Sequence, residues 1–189
     1  MSGFRAIVGD RGRPLFDVLK TGEGTPVDLS SSTVTFTMKT ADATGTVKVN
    51  AQAATCHPTQ TFTMATTGIG TANDHKAQDG DQLILSNSGG ALPAGLSAAT
   101  RYFVVNSGPN HISLATSYGG APIIPTDAGT GTHSFYIVGS VSYAWAAADV
   151  DTAGSHSGHW QETVGGLIRT YPVSSDGQHR GFTVEFYTL

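Results

Sequence analysis

The sequence predicts an all-β protein, an antiparallel β-sandwich interrupted by a small inserted β-domain. Wherever the chain shows a period, apolar and polar residues alternate one by one, which is typical of strands with one buried face. These short runs are separated by glycine, asparagine and aspartate, which favour turns. The 24 glycines and the many serines and threonines also disfavour long helices, so a helical or α/β fold is not expected.

The run at residues 33–39 shows this alternation most clearly. Val34, Phe36 and Met38 point to one side of the predicted strand, and the threonines between them point to the other. The same scheme, with the apolar residues of each run on one side, recurs at residues 46–50, 141–145 and 182–187. Four alanines at residues 144–150 allow a short helical turn there, and a long helix is not expected.

The middle of the chain, residues 57–136, is predicted to form a separate inserted domain. It is richer in glycine and threonine than the flanks and has its own apolar alternation. Strands are predicted at residues 61–64, 82–86, 101–106, 111–115 and 132–137. The flanks, residues 1–56 and 137–189, each contain too few strands to close a sandwich alone. Together they are predicted to form one discontinuous sandwich.

Composition and charge argue against several classes of function. Charged residues make up 13% of the chain, against about 25% in an ordinary soluble domain, which indicates a surface that packs within an assembly. The net charge is -4 and the ten Lys and Arg residues are scattered, so a nucleic-acid partner is not expected. No apolar run approaches a membrane span, and the first residues lack the apolar core of a signal peptide. We therefore expect no membrane partner and a protein made in a cytoplasm.

The histidines and the paired aspartates are the places to look for a metal. His156 and His159 are three residues apart, a spacing that chelates on a helix but places the two rings on opposite sides of the strand predicted here. Two acidic pairs, Asp149 with Asp151 and Asp79 with Asp81, could hold a divalent cation only with outside help. We expect these aspartates to close turns, and we expect no bound metal and no cofactor.

The chain contains no recognisable nucleophile motif. No Gly-x-Ser-x-Gly elbow is present, and Cys56, the only cysteine and therefore without a disulfide partner in the chain, is followed by His57 without supporting context. We expect Cys56 to be a small apolar filler at a strand end. Residues 67–71 (TGIGT) resemble part of a phosphate loop but have no lysine and no following helix. An enzyme with catalytic residues is not expected.

Aromatic residues of the insert offer a different kind of site. Tyr118, beside Gly119 and Gly120, and Tyr102 or Tyr136 could stack on sugars. The alternative, which we favour, is that Tyr102 and Tyr136 belong to strands and pack with their hydroxyls in water.

Both flanks resemble one family of phage proteins. Residues 26–38, with PVDLS followed by VTFTM, resemble the opening motif of the phage baseplate upper protein N-terminal domain family. Residues 139–154 (GSVSYAWAAADVDTAG) resemble a later motif of that family, and so, in the same order, do HWQE at 159–162, RTYP at 169–172 and DG at 176–177. Two departures are the insertion of about 80 residues and the replacement of an expected aromatic residue by His156.

The insert itself resembles small β-modules of phage tail and fibre proteins, through residues 75–85, 92–104 and 128–133. The two resemblances imply an Ig-like β-sandwich and a structural protein of the virion, placed in the tail or baseplate and mediating subunit assembly. They imply as partners other phage structural proteins and copies of the chain itself in a symmetric homo-oligomer. A head decoration protein and a receptor- or carbohydrate-binding module that contacts a host surface glycan remain alternatives.

Overall fold

The structure, a computed structural model, describes residues 4–172 and 181–188. Within them it contains fifteen strands and one short 3₁₀ helix, which confirms the predicted all-β fold class. No helix in these two ranges is long and apolar enough to cross a membrane. The chain divides into two compact units, residues 1–57 with 139–189 and residues 58–138, at positions one and two residues later than the predicted domain boundaries. The DG turn predicted at 176–177 lies outside the described residues.

The strands follow one another along the chain in three groups. The first flank contains β1 (Phe4–Ile7), β2 (Leu15–Val18), β3 (Thr33–Thr40), β4 (Val47–Ala53) and β5 (Thr55–Cys56). The insert contains β6 (Gln60–Met64), β7 (Gly70–Thr71), β8 (Gln82–Ser88), β9 (Arg101–Gly108), β10 (His111–Ala115) and β11 (Thr132–Ile137). The second flank contains β12 (Ser140–Tyr143), the 3₁₀ helix (Ala147–Asp149), β13 (Gly154–Val164), β14 (Leu167–Tyr171) and β15 (Phe182–Tyr187).

The first unit is built from two sheets. The large sheet has the strand order β1-β15-β13-β3-β4, and β14 pairs with the far half of β13 on the same side as β15. The small sheet has the order β2-β12-β5. All of these pairings are antiparallel except the one between β1 and β15, which is parallel. Apolar residues from both sheets form one buried cluster, so the core lies between them as in a sandwich.

Phe36 of β3 lies at the centre of this core and is fully buried. Its ring centroid is 5.1 Å from that of Tyr143 in the small sheet and 4.8 Å from that of Trp160 on β13. Trp145, just beyond the end of β12, and Phe182 of β15 complete the cluster at 5.9 and 6.0 Å. These separations fall within the range in which aromatic pairs add to simple area burial.

The alternation predicted for residues 46–50 holds only in part. Val49 is buried, as predicted, but Val47 is 54% exposed. The register between β3 and β4 shifts on both sides of Met38, and the shift places Val47 beside Lys39, on the side away from the core. β-bulges of this kind break the simple alternation of a strand, and no sequence pattern marked this one.

The second unit is a closed barrel of six strands in the order β10-β7-β6-β11-β8-β9. The five strands predicted for the insert are all present, and the two-residue β7 completes the circle. Leu83, Leu85, Val104, Leu114 and Phe135 are buried almost completely and form part of its interior. Closure leaves the barrel without an open sheet edge.

Replacing Phe36 with alanine should lower the free energy of unfolding of the first unit by about 3–5 kcal/mol, because the change leaves a cavity between four rings. Urea unfolding followed by tryptophan fluorescence measures this directly. Both tryptophans, Trp145 and Trp160, lie in the first unit, so the signal does not report on the barrel.

Thr35→Ala is the matched control, since Thr35 precedes Phe36 on β3 and faces away from the core. Its effect should remain within about 0.5 kcal/mol. Equal losses in the two variants would contradict the central position assigned to Phe36.

Candidate functional site

His156 and His159 lie on opposite faces of β13, as the strand spacing predicts. His156 is buried against the ring of Phe186, with its Nδ1 atom 3.2 Å from the carbonyl oxygen of Gly154. His159 is half-buried on the other face, where burial, assisted by the positive charge of Lys39, lowers the pKa of its imidazole. The two rings therefore cannot ligate one ion together.

Asp149 and Asp151 bind different partners and do not form one site. Asp149 is buried and accepts hydrogen bonds from the hydroxyl of Tyr143 (2.8 Å) and the backbone N–H of Ala146 (2.7 Å), so it closes the 3₁₀ turn. Burial, and then this hydrogen bond to the Asp149 carboxylate, raises the pKa of Tyr143. Asp151 is exposed and forms an ion pair with Lys48, with an Nζ–Oδ1 distance of 2.6 Å.

The acidic pair of the insert also stabilises loops. Asp79 accepts the backbone N–H of Ser107 at 2.7 Å, and Asp81 accepts that of Gln78 at 2.9 Å. Across the described residues, no group of three or more His, Cys, Asp or Glu side chains is placed to hold a metal ion.

Residues 67–71, which resemble part of a phosphate loop, form the end of the turn after β6 and the strand β7. The N–H of Gly68 donates to the carbonyl of Ala65 at 3.0 Å, and the N–H of Ala65 donates to that of Ile69 at 2.9 Å. Gly68 has a φ of +82°, and a Cβ there would lie 2.8 Å from the carbonyl oxygen of Ile123. The turn thus needs glycine at position 68 for conformation and close packing, and the N–H of Gly68 is bonded within the hairpin.

Cys56 and His57 have separate partners. Cys56 is half-buried at the end of β5, its Sγ atom lies 3.8 Å from the carbonyl oxygen of Ser32, and burial raises the pKa of the thiol. The Nε2 atom of His57 accepts the backbone N–H of Gly139 at 3.3 Å, and burial lowers the pKa of this ring. The thiol is therefore protonated at neutral pH, and the imidazole helps to hold the point where the chain returns from the insert.

The three tyrosines proposed for sugar stacking differ in exposure. Tyr102 is buried in the barrel, and its hydroxyl accepts the backbone N–H of Ser97 at 2.8 Å instead of lying in water. Tyr136 is half-buried on β11. Tyr118 is 76% exposed, and its ring stands edge-on to Phe103 at a centroid distance of 6.3 Å. Only Tyr118, of these three, presents an open ring.

The buried carboxylate of Glu162 is a feature of the sandwich that was not predicted from the sequence. Glu162 is 1% exposed and accepts hydrogen bonds from the hydroxyls of Ser32 (2.6 Å) and Tyr171 (2.9 Å), with Arg169 3.7 Å away. Burial, followed by the interaction with Glu162, raises the pKa of Tyr171 to about 12. The sequence does indicate this burial, because Glu162 lies two residues after Trp160 and therefore faces the same side of β13.

The side of the large sheet turned away from the core, which we call the outer face, has a centre of short polar side chains. Neighbouring strands pair Thr35 with Gln161, Thr37 with His159 and Ser157 with Thr183, all at outward positions. Most of them are half-buried by one another, and they carry no charge once His159 is neutral.

Exposed apolar side chains surround this polar centre. Ile7 and Tyr187 pair across β1 and β15, Val47 pairs with Lys39, and Ile168 pairs with Thr163. The four apolar residues are 40–67% exposed. Large apolar side chains grouped on one face of a sheet mark an interaction surface more often than scattered ones do.

Comparisons with protein-family models, with curated proteins and with solved structures found no match for this chain.

Tyr171→Phe should reduce the loss of stability of the first unit at alkaline pH. The pKa of Tyr171 is raised from 10.0 to about 12 in the folded state, so its contribution to the free energy of unfolding is complete below pH 10. As the pH rises from 10 to 12 the unfolded chain ionises first, and the free energy of unfolding falls. Urea midpoints by tryptophan fluorescence at pH 9, 10 and 11 should decline less steeply in Y171F.

Tyr118→Phe, which removes an exposed hydroxyl from the second unit, is the control and should follow the wild-type curve. Parallel curves for Y171F and the wild type would show that the Tyr171–Glu162 hydrogen bond does not govern the alkaline transition.

Proposed function

We propose that this chain is a structural protein of a bacteriophage particle, a component of the tail or baseplate that mediates assembly of subunits. The observation that carries the proposal is the outer face of the large sheet, where exposed apolar side chains lie around a centre of uncharged polar ones, with Lys39 and the Arg5–Glu185 pair beside it. Such a face is poorly suited to a protein that works alone in water, and it suits one that packs against a neighbour.

The motifs that resemble the baseplate family support this proposal through what their residues do. Phe36, Tyr143, Trp145 and Trp160 meet in the core, and Tyr171 bonds a buried carboxylate. Residues of this kind specify a fold, and none of them is placed for chemistry on a substrate. The resemblance therefore bears on a structural module, and tail or baseplate is the location that it favours.

The test is mass spectrometry of purified particles of the phage that encodes the chain, together with immunogold labelling. We expect the protein in intact particles at a stoichiometry set by the particle symmetry. Gold on the tail tip or baseplate supports the proposed location, and gold over the capsid favours the alternative of head decoration. Absence from purified particles contradicts a structural role in either place.

Carbohydrate binding by the barrel is the second candidate, and the exposure of Tyr118 is the observation that favours it. An exposed aromatic ring can stack on the apolar face of a sugar. The full chain should then bind particular glycans on an array, Tyr118→Ala should abolish that binding, and Tyr118→Phe should retain it because the ring remains. Equal signals from Y118A and the wild type would exclude Tyr118 as the contact.

A further inference from the structure

We propose that two copies of this chain associate face to face through the outer face, about a two-fold axis that runs parallel to the strands over β13. The inference rests on the proposed function as an assembly subunit and names the surface and the partner, a second copy of the chain. Three features of the large sheet support this dimer: the positions of its exposed apolar side chains, the neutrality of the centre of the outer face, and the positions of Lys39 and Glu185.

The apolar side chains of the first unit are unevenly distributed. Among its described residues, five large apolar side chains are exposed, and four of them, Ile7, Val47, Ile168 and Tyr187, project from the outer face. The fifth, Leu167, precedes Ile168 on β14 and therefore points to the other side. An even scatter would need no explanation, but a grouping on one face leaves apolar area that a partner can remove from water.

The centre of the outer face can be buried at little electrostatic cost. Its outward side chains are hydroxyls, an amide and the neutral imidazole of His159. These groups are short and can exchange hydrogen bonds across a two-fold axis, because each is both a donor and an acceptor. A centre of this type can face a copy of itself, and it offers no array of charges to a strongly charged partner.

The strand order gives the axis its position. Lys39 on β3 pairs with Ser157, and Glu185 on β15 pairs with Ser155, so the two charges flank β13 on opposite sides. Rotation about an axis over β13 exchanges these sides, which places Lys39 of each copy over Thr183 of the other, one outward position away from Glu185. Glu185 already holds Arg5 at 3.1 Å, and a carboxylate can accept from a second cation.

The same rotation covers part of the apolar rim. Ile168 on β14 and Thr33 on β3 pair with Thr163 from its two sides, so the axis places Ile168 of one copy over Thr33 of the other. It also brings β1 of one copy over β4 of the other, since these are the outermost strands, with the Ile7–Tyr187 pair four residues further along the sheet than Val47. One axis thus relates Lys39 and Glu185 in both directions and covers apolar side chains of both copies, as in an isologous interface.

Sedimentation velocity over a concentration series tests the proposal. We expect the wild-type chain to show a reversible monomer–dimer equilibrium. Ile168→Arg should weaken it by about tenfold or more, because a charge would be buried without a partner. Leu167→Arg is the matched control, because Leu167 is adjacent to Ile168 and equally exposed (65% against 67%) but points away from the outer face. The L167R variant should therefore dimerise like the wild type.

A charge exchange tests the axis itself. Lys39→Glu and Glu185→Lys should each weaken dimerisation, and the double variant should recover most of it, because the pairing is restored with its sign reversed. Tryptophan fluorescence and urea midpoints verify that each variant is folded. Failure of the double variant to recover would overturn the proposed axis.

A wild-type chain that stays monomeric up to about 1 mM would overturn the proposed dimer, and so would equal effects of I168R and L167R. Neither result contradicts the proposed function, which is tested by the presence of the protein in purified particles. A monomer that is found in particles therefore rejects the two-fold interface and leaves the structural role standing.

Discussion

The packing of Phe36 between the two sheets is the contact on which the first unit depends. Its ring meets Tyr143 on one side and Trp160 on the other, and both of these aromatics carry a polar atom that must be satisfied within the fold. Tyr143 donates to Asp149, and Trp160 donates from Nε1 to Asp17 at 3.1 Å. The aromatic core thus fixes the carboxylates of Asp149 and Asp17, and these in turn fix the loop after β12 and the strand β2.

Much of the fold could be predicted from the sequence because alternation reports burial directly. β3 and β11 follow their patterns, since each has one face in a core, whereas β10 is buried on both faces. β1 and β2 gave no such signal: they are four residues long, and β2 contains Asp17 within the run Leu15–Val18. The parallel pairing of β1 with β15 and the closure of the barrel depend on contacts between distant residues, which no local pattern encodes.

The candidate site could not be predicted for a related reason. Ile7, Val47, Ile168 and Tyr187 come from four different strands in the two flanks of the chain, and each alone is an ordinary exposed apolar residue. Only the pairing register brings them onto one face. The residues that did stand out in the sequence, such as the paired aspartates and the glycines of 67–71, stood out because turns need them.

The insertion of the barrel between β5 and β12 has a consequence for how the chain folds. These two strands pair with each other, although the roughly 80 residues of Pro58–Val138 separate them. Closing so long a flexible loop carries a length-dependent entropic cost of about 4 kcal/mol. Within the barrel, however, Gln60 pairs with Phe135, so a folded barrel already holds its two ends together. Early folding of the insert therefore shortens the effective path between the flanks and makes the sandwich, in kinetic terms, a protein of much lower contact order.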